Sequence, residues 1–202
     1  HVDNLHIYLR RGGMHAPNFW PDDGLVWKCN HDERIQAKRR RTRVPCGPRG
    51  VLHDYVGFYF GYLSPMMLRL KTGRVEGYTE GQEPLIYLVS TCQDIAASGA
   101  EFVFYDGHAL AYLSEAYEDL ADLARVEWDV VYLRYWHHTL DDMDREQRKQ
   151  AEFLVHGVCP WSVVREIAVI DGARKSQVEE ILAGFPDLQQ PVVTVRRDWY
   201  YW

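Results

Sequence analysis

The sequence lacks the paired cysteines from which zinc ribbons and disulfide frameworks are built. Its four cysteines, Cys29, Cys46, Cys92 and Cys159, are scattered, and none belongs to a C-x-x-C pair. Structural zinc sites need closely spaced cysteines, and small secreted domains need regularly spaced ones. The cysteine pattern therefore favours a reducing compartment, and we expect the protein to act in the cytoplasm.

Long apolar runs and an excess of positive charge are also missing. No apolar stretch approaches the roughly 18 residues that cross a membrane, and no charged-then-apolar leader opens the chain, so no membrane partner is expected. The 202 residues carry a formal net charge of −6, with a sequence pI near 5.8. Proteins that hold nucleic acid by bulk charge are normally basic. Any contact with DNA must therefore be local, through a basic strip or through aromatic stacking.

Common nucleotide-binding, hydrolase and metal motifs are absent as well. No G-x-G-x-x-G follows a strand, and there is no Walker loop, G-x-S-x-G elbow or H-E-x-x-H helix. The pairs His137-His138 and Asp141-Asp142 superficially suggest a metal site. Because adjacent histidines on a helix or turn diverge, we expect no bound metal.

The distribution of apolar residues, turn residues and capping residues predicts one mixed α+β domain over residues 1–202. No repeat, low-complexity tract or linker interrupts it. Helices are predicted from about Asn4 to Gly12, over 31–42 with Asn30 as its cap, from Ser64-Pro65 onward, after Thr91, through most of 109–137, and over 174–183. Strands are predicted at 51–60, 85–90, 102–105, 151–156, 167–171 and 192–196, and residues 14–30 are predicted to form a loop.

An aromatic strand that runs into a helix cap is one candidate binding element. In Phe58-Tyr59-Phe60, side chains alternate, so Tyr59 faces away from its neighbours and towards a possible cleft. A planar aromatic beside the hydroxyl of Ser64 could hold a flat, carboxamide-bearing ring such as nicotinamide. The alternative is a core strand followed by a routine N-cap.

A second candidate is the acid inside the apolar strand Ala151–His156. An unpaired charge at Glu152 would be costly to bury, so the carboxylate must be paired, exposed at an edge, or part of a cleft. When a glycosidic C–N bond breaks, the sugar develops positive charge that a carboxylate can stabilise. The alternative is a strand-edge glutamate paired with an arginine.

The basic run Lys38–Arg43 holds five of the 23 lysines and arginines. On a helix, Ile35, Arg39 and Thr42 share one side, so one arginine could point inward and hold a pyrophosphate or act on a base. A solvated charged face is the alternative. His108 follows Asp106-Gly107 at a strand end, where its imidazole could touch a ligand or form only a local hydrogen bond.

Many ordered segments resemble the DarT family of DNA-modifying ADP-ribosyltransferase toxins. They are His1-Val2-Asp3-Asn4-Leu5, the arginine-rich helix before Val44-Pro45, Asp54–Phe60, Ser64-Pro65-Met66, Gly81-Gln82-Glu83-Pro84, Asp106-Gly107-His108-Ala109, Gln150–His156 and the closing Arg-Asp-Trp-Tyr-Tyr. The resemblance implies an ADP-ribosyltransferase fold, with a split, mixed β-core and flanking helices around NAD. It also implies transfer of ADP-ribose from NAD, as a substrate, to a base in single-stranded DNA, with thymidine N3 as the expected acceptor.

The same resemblance implies a role for nine residues and a partner protein. Glu152 and Arg39 are the expected catalytic residues, with Arg40 as the alternative to Arg39 because the run of basic residues leaves the register uncertain by one. The remaining expectations are that Asn4, Tyr59, Ser64 and Arg40 bind NAD, and that His108, Arg148 and Lys149 bind DNA. The family's usual partner is a DarG-like macrodomain antitoxin that removes the modification.

The sequence departs from the family pattern in three places. The family normally has a Tyr-His-x-Thr strand just before the equivalent of His1, so either this first strand is missing here, which would impair NAD binding, or the numbering starts after it. Gly57 replaces a usual proline, and Tyr62-Leu63 replace a usual Pro-Arg. Two alternatives therefore remain: the same fold could modify guanine, RNA or protein, or the chain could be a nucleic-acid-binding domain without turnover.

Overall fold

The computed structural model describes all residues from His1 to Trp202. It contains seven α-helices and nine short β-strands, joined by loops and 3-10 turns. The helices are α1 (Leu5–Arg11), α2 (Glu33–Arg39), α3 (Pro65–Lys71), α4 (Cys92–Ala97), α5 (Trp128–Val131), α6 (Arg145–Lys149) and α7 (Gly172–Ala183). The strands are β1 (Gly13–His15), β2 (Tyr55–Tyr59), β3 (Tyr87–Val89), β4 (Phe102–Tyr105), β5 (Ala116–Tyr117), β6 (Glu152–His156), β7 (Val158–Pro160), β8 (Glu166–Val169) and β9 (Val192–Val195).

The strands form a split core of separate sheets. The largest sheet is antiparallel and has the order β2-β6-β4-β5, so β6 is paired on both sides. A second sheet, β3-β8-β9, is mixed, because β8 pairs antiparallel with β3 and parallel with β9. β1 and β7 form a small antiparallel pair. This is the α+β, split and mixed core that the sequence led us to expect.

The apolar residues of the two larger sheets meet in one main core. Phe153 and Val155 of β6 pack there together with Ile167 and Val169 of β8. Helices α1 and α7 also pack against this core, through the buried side chains of Leu5 and Leu9 from α1 and of Val178 and Leu182 from α7. No helix is both long and apolar enough to cross a membrane.

Several helix boundaries follow from local capping, as the sequence predicted. The Ser64 hydroxyl accepts a hydrogen bond from Met67 N at 3.2 Å, and Pro65 occupies the first helical position, where its missing N–H costs nothing. Thr91 caps α4 in the same way, accepting from Asp94 N at 2.9 Å. α7 ends at Gly184, as predicted.

Three predicted elements differ from the structure. Residues 109–137 are not mainly helical, because only α5 is an α-helix there and the rest is β5, a 3-10 turn and loop. Residues 14–30 are not all loop, since β1 begins at Gly13 and pairs with β7, a partner almost 150 positions away in the chain. Helix α2 is capped by Asp32, which accepts from Arg34 N at 3.0 Å, and not by Asn30.

Candidate active site

Glu152 is the first residue of β6, at the centre of the largest sheet. It lies opposite Tyr59 of β2 and Tyr105 of β4. Residues directly opposite each other in antiparallel strands project from the same face, so these three side chains share a face. The next residue, Phe153, points to the other face and into the main core. The strand alternation thus presents Glu152 on the side of the sheet that carries a cleft.

The Glu152 carboxylate is buried, with 5% of the residue exposed, and it is fully engaged. Arg39 Nη1 donates to both carboxylate oxygens, at 3.2 Å to Oε1 and 2.9 Å to Oε2. The backbone N–H of Ala109 donates to Oε1 at 2.9 Å. Burying a carboxylate is tolerable only when such partners replace water. Both interpretations of Glu152 therefore hold together: it is paired with an arginine, and it lines a cleft.

Arg39 reaches Glu152 from the last turn of α2, and Arg40 does not. The Arg40 side chain is 61% exposed, and its nearest acid is Glu33, at 3.9 Å. α2 buries none of its own residues. Its remaining links to the fold are also polar: Arg69 Nη2 binds the Asp32 carboxylate at 2.6 Å, and His53 Nε2 donates to Gln36 Oε1 over 3.0 Å. Burial, followed by repulsion from Arg40 and Arg39, lowers the pKa of His53, which keeps that imidazole neutral.

A tight turn after β4 supplies the Ala109 amide. A side chain at Gly107 would place its Cβ 2.6 Å from Ser114 Oγ and 3.2 Å from the Gln147 carbonyl oxygen, so both neighbours would have to shift to accommodate it. The next residue is held by its own backbone, since His108 N donates to Gln147 O at 2.9 Å. The turn therefore delivers the Ala109 N–H to a fixed point beside Glu152.

His108 is neutral and presents one defined donor. Leu110 N donates to His108 Nδ1 at 3.0 Å, so Nδ1 is an acceptor and the ring proton lies on Nε2. Burial lowers the pKa of His108, although the Glu152 charge opposes the shift. No protein atom takes up the Nε2 proton, which leaves it available to a ligand in the cleft.

The cleft has two lobes that share a common wall, formed by His31, Ile35, Gln36, Tyr59, Met66 and His108. The first lobe has a volume of about 270 Å³, contains Glu152 and Arg39, and runs along β2 towards Tyr55 and the aromatic wall of Trp20 and Trp27. The separation from Tyr55 to Tyr59 is four residue steps, or about 13 Å along a strand. The second lobe has a volume of about 310 Å³ and lies between α2, α3 and the turn that carries His108. Burial raises the pKa of Tyr59, so its hydroxyl is protonated.

Gly57 makes room for the Arg39–Glu152 pair. It lies opposite Leu154 in the β2–β6 register, on the same face as Glu152. A Cβ at this position would stand 3.4 Å from Arg39 Nη2 and 3.7 Å from Glu152 Oε2. One methyl would just fit, but a branched side chain would displace the guanidinium.

Three of the four expected NAD contacts, Asn4, Ser64 and the exposed Arg40, lie outside both lobes. The Asn4 side chain is buried and bonds to the Lys28 backbone twice, as donor to O and as acceptor from N, each at 2.8 Å. It therefore ties α1 to the segment that leads to α2. Ser64 is buried as the cap of α3. Asn4 and Ser64 support the walls of the cleft and do not line it.

Two expected DNA contacts are likewise not brought to the cleft. Arg148 is neutralised by three carboxylates, those of Asp142, Asp144 and Glu127. Lys149 is buried, and its Nζ donates to the Tyr62 carbonyl at 2.8 Å and to the Val131 carbonyl. Burial lowers the pKa of Lys149 to about 8. Because Lys149 is buried and two of its three N–H groups bind carbonyls, it does not face a phosphate in the cleft.

Several site features had no counterpart in the sequence interpretation. The Ala109 amide is a backbone donor, which no residue type announces, and the role of Gly57 depends on a contact across two strands. The His53–Gln36 bond and the wall of Trp20 and Trp27 are also new. A signal existed for the tryptophans, as part of the high aromatic content, and for Gly57, as a departure from the family pattern.

The split mixed core matches the ADP-ribosyltransferase class. Its inner strand carries the Glu152 carboxylate, which lies beside Tyr59 of the next strand and is bonded to Arg39 of α2. The sequence profile described as "ssDNA thymidine ADP-ribosyltransferase, DarT" matches residues 1–201. The chain belongs to the DarT family.

Similar proteins agree in sequence and in fold. A "DNA ADP-ribosyl transferase" of Thermus sp. (strain 2.9) is 40% identical over 201 residues, which is all of this chain and 93% of that protein. The Escherichia coli O127:H6 protein of the same description is 31% identical over 205 residues, covering all of this chain and 90% of that protein. The solved structure "Thermus sp. 2.9 DarT in complex with ADP-ribosylated ssDNA" superposes with a TM-score of 0.92 at 38% identity, covering all of this chain and 93% of that one. The same DarT "in complex with NAD+" gives a TM-score of 0.87 at 37% identity, covering all of this chain and 94% of that one.

These comparisons confirm the family, the fold and the enzyme class that the sequence indicated. A Thermosipho africanus DarTG structure with ADP-ribose matches in fold alone, with a TM-score of 0.76 at 16% identity, and this chain covers 49% of it.

Proposed function

We propose that this protein transfers ADP-ribose from NAD to N3 of thymidine in single-stranded DNA. The observation that carries the proposal is the Glu152–Arg39 pair, buried in a cleft against Tyr59 and supported by the Ala109 amide. In the reaction the C1′–N bond of NAD breaks, nicotinamide leaves with the bonding electrons, and a C1′–N3 bond forms. The thymine N3 proton is released.

Glu152 is the group that stabilises the developing charge on the ribose. Its carboxylate faces the first lobe, where an oxocarbenium-like sugar would gain most from a fixed negative charge in a site that excludes water. Because Ala109 N–H holds Oε1 from the backbone, the carboxylate keeps its position even when Arg39 changes partner. Tyr59, on the same face, offers a flat surface on which the nicotinamide ring stacks.

Arg39 is the group that favours the deprotonated base. A guanidinium close to N3 stabilises the negative charge that the base carries once its proton has left. Arg39 lies next to Glu152, so it can act on the acceptor only at the point where the acceptor meets the ribose. His108, with its proton on Nε2, donates to a carbonyl oxygen of the same base.

The other expected residues take supporting roles in this proposal. Asn4 and Ser64 fix the elements that form the cleft, and Lys149 fixes the segment that precedes Glu152. Arg40 lies on the surface, where it would add to the attraction of a DNA strand without specific contacts, whereas Arg148 is neutralised by its three carboxylates. The proposed partners are single-stranded DNA and a DarG-like macrodomain that removes ADP-ribose. The proposed compartment is the cytoplasm, where NAD and DNA meet.

The test is transfer of ADP-ribose to defined oligonucleotides. The protein is incubated with NAD and single-stranded oligonucleotides in which thymidine, guanosine, adenosine or cytidine is the only variable base, and with matching RNA. Mass spectrometry then reads the added ADP-ribose. We expect an adduct on thymidine, and an adduct on guanosine, on RNA or on the protein itself would replace thymidine as the acceptor.

A matched pair of variants tests the assignment of Glu152. Glu152→Gln removes the charge and keeps the shape, and we expect transfer to fall by at least about 100-fold. Glu180→Gln changes an exposed glutamate of α7 and should leave transfer unchanged. Near-normal transfer by Glu152→Gln would exclude the proposed role of this residue. Absence of any adduct with the unmodified protein would refute the proposed activity.

A further inference from the structure

Helix α2 carries Arg39, but apolar packing does little to set the rotation of this helix about its own axis. None of its residues is buried. Arg39 and Arg40 are neighbours, so their side chains project about 100° apart around the helix. A rotation of that size would turn Arg39 away from Glu152. A polar contact must therefore determine which arginine faces the carboxylate.

The hydrogen bond between His53 and Gln36 is the contact best placed to do so. The His53 Nε2–H donates to Gln36 Oε1 at 3.0 Å. Gln36 lies three residues before Arg39, on the same side of the helix. The other side-chain link, from Arg69 to Asp32, is made at the N-cap, about two turns from Arg39. Its arginine is 47% exposed, so water competes for that bond.

We propose that His53 is a positioning residue for the transfer reaction. Through Gln36 it fixes the rotation of α2, so that Arg39 and not Arg40 faces Glu152. The inference rests on the proposed function, because that function gives Arg39 its role at the acceptor base.

His53 is itself held by a well-bonded part of the fold. The residue is 5% exposed and lies in the 3-10 turn Leu52–Asp54, which leads directly into β2. The backbone N–H of the first residue of this turn donates to Thr42 O at 3.0 Å, so the turn is bonded to the chain that leaves α2. The carbonyl of its last residue accepts from Gly157 N at 2.8 Å, next to the end of β6. His53 thus links α2 to the largest sheet.

An uncharged donor suits this position because two arginines lie near it. Burial is the largest cause that lowers the pKa of His53, and Arg40, Arg39 and His31 add to the shift, whereas the bond to Gln36 opposes it. The imidazole is therefore neutral at pH 7 and holds Gln36 without repelling Arg39. A lysine in its place would put a second positive charge beside the guanidinium.

The experiment separates loss of the donor from loss of the ring. His53→Leu removes the N–H, and His53→Gln keeps a donor close to the position of Nε2. Gln36→Leu removes the acceptor, and the double variant His53→Leu/Gln36→Leu completes a cycle. His137→Leu changes an exposed histidine and is the control. Rates of transfer to a thymidine oligonucleotide give kcat and the KM values for NAD and DNA, and thermal melting checks that each variant is folded.

For His53→Leu we expect kcat to fall about fivefold to tenfold, as loss of one hydrogen bond implies. Both KM values should stay within about twofold, because Arg39 acts on the charge that develops during the reaction. His53→Gln should recover most of the rate. The double variant should be no slower than the slower single variant, since both changes break the same bond. His137→Leu should behave like the unmodified protein.

Hydrogen exchange in the protein without substrates gives a readout that does not depend on activity. Amide protection in α2 should fall about fivefold to tenfold in His53→Leu, by the same hydrogen bond, and return in His53→Gln. Protection in β6 should stay constant. A general loss of stability would instead lower protection in both elements.

Three results would overturn the inference. They are an unchanged kcat in His53→Leu, a loss of protection in β6 as large as that in α2, and a slow reaction that His53→Gln does not recover. If the unmodified protein transfers nothing, the proposed function is refuted instead. Exchange in α2 would then still show whether His53 holds the helix.

Discussion

Replacing Arg39 with methionine would leave the buried carboxylate of Glu152 without its counter-ion. The change removes two of the three hydrogen bonds to that carboxylate and leaves the Ala109 amide as the remaining donor. The side chains are 12% and 6% exposed, so solvent replaces little of what is lost. Breaking a buried pair from one side costs about 3–5 kcal/mol, and the amide offsets part of it. We therefore expect the free energy of unfolding to fall by about 3 kcal/mol.

A double-mutant cycle measures the interaction free energy between Arg39 and Glu152 apart from the effects of each residue's other contacts. Arg39→Met, Glu152→Gln and the double variant are unfolded in urea, and the free energies are compared at constant m-value. The double variant should be more stable than the sum of the single effects predicts, by at least about 1 kcal/mol, because no isolated charge remains in it. For a chain of this size, 3 kcal/mol corresponds to a fall in Tm of about 6–12 °C.

Arg40→Met is the matched control for this cycle. Its side chain is 61% exposed and has no close partner, so we expect a change below about 0.5 kcal/mol. If Arg39→Met costs less than about 1 kcal/mol, the pair behaves as a surface salt bridge, and the argument from burial is wrong. Strict additivity of the two single changes would refute it equally.

Two further predictions concern neighbouring positions. Gly57→Val should displace the Arg39 guanidinium and lower the rate of transfer by about 10-fold or more. Gly57→Ala should change the rate little, because its methyl would lie at an ordinary contact distance of 3.4 Å from Arg39 Nη2. Equal rates for the two variants would show that the guanidinium is not confined there. Burial lowers the pKa of Lys149 from 10.5 to about 8. Between pH 8 and pH 10.5 the unfolded chain therefore binds more protons at this residue than the folded chain, so the free energy of unfolding rises with pH in this range. Tm measured against pH for Lys149→Met should lack that rise between about pH 8 and 10.5, and identical pH profiles for the two proteins would contradict the assignment.

Local sequence rules account for the parts of the fold that are determined within a few residues. The caps at Ser64 and Thr91 and the end of α7 at Gly184 depend on contacts within one turn, and they were predicted correctly. Residues 109–137 were wrong because their leucines, alanines and valines satisfy helical spacing, whereas the segment is shaped by pairing of β5 with β4 and by packing under α6. β1 was missed for a related reason: three residues that pair only with a distant strand carry no periodic signal.

The residues of the candidate site were also predictable only where a local sequence pattern marks them. Glu152 stood out because an acid in an apolar strand needs an explanation, and Arg39 because it lies on the inward side of a predicted helix. Lys149 resembled a surface cation in the sequence, since nothing local shows that Tyr62 and Val131 direct carbonyls at its end. Asn4 and Ser64 were expected from the family resemblance to bind NAD, but in the structure the Asn4 side chain bonds to the distant Lys28 backbone and Ser64 caps α3.

Helix α2, which buries none of its residues, gives the two members of the central pair different local stabilities. Glu152 belongs to a strand bonded on both sides, so it opens only when the sheet unfolds. Arg39 belongs to a segment attached by a few polar contacts, and such segments open at much lower free energy than the core around them. Amide exchange should therefore be fast in α2 and slow in β6. Arg39 can therefore move away from the site and return on its own, while Glu152 keeps its position in the sheet.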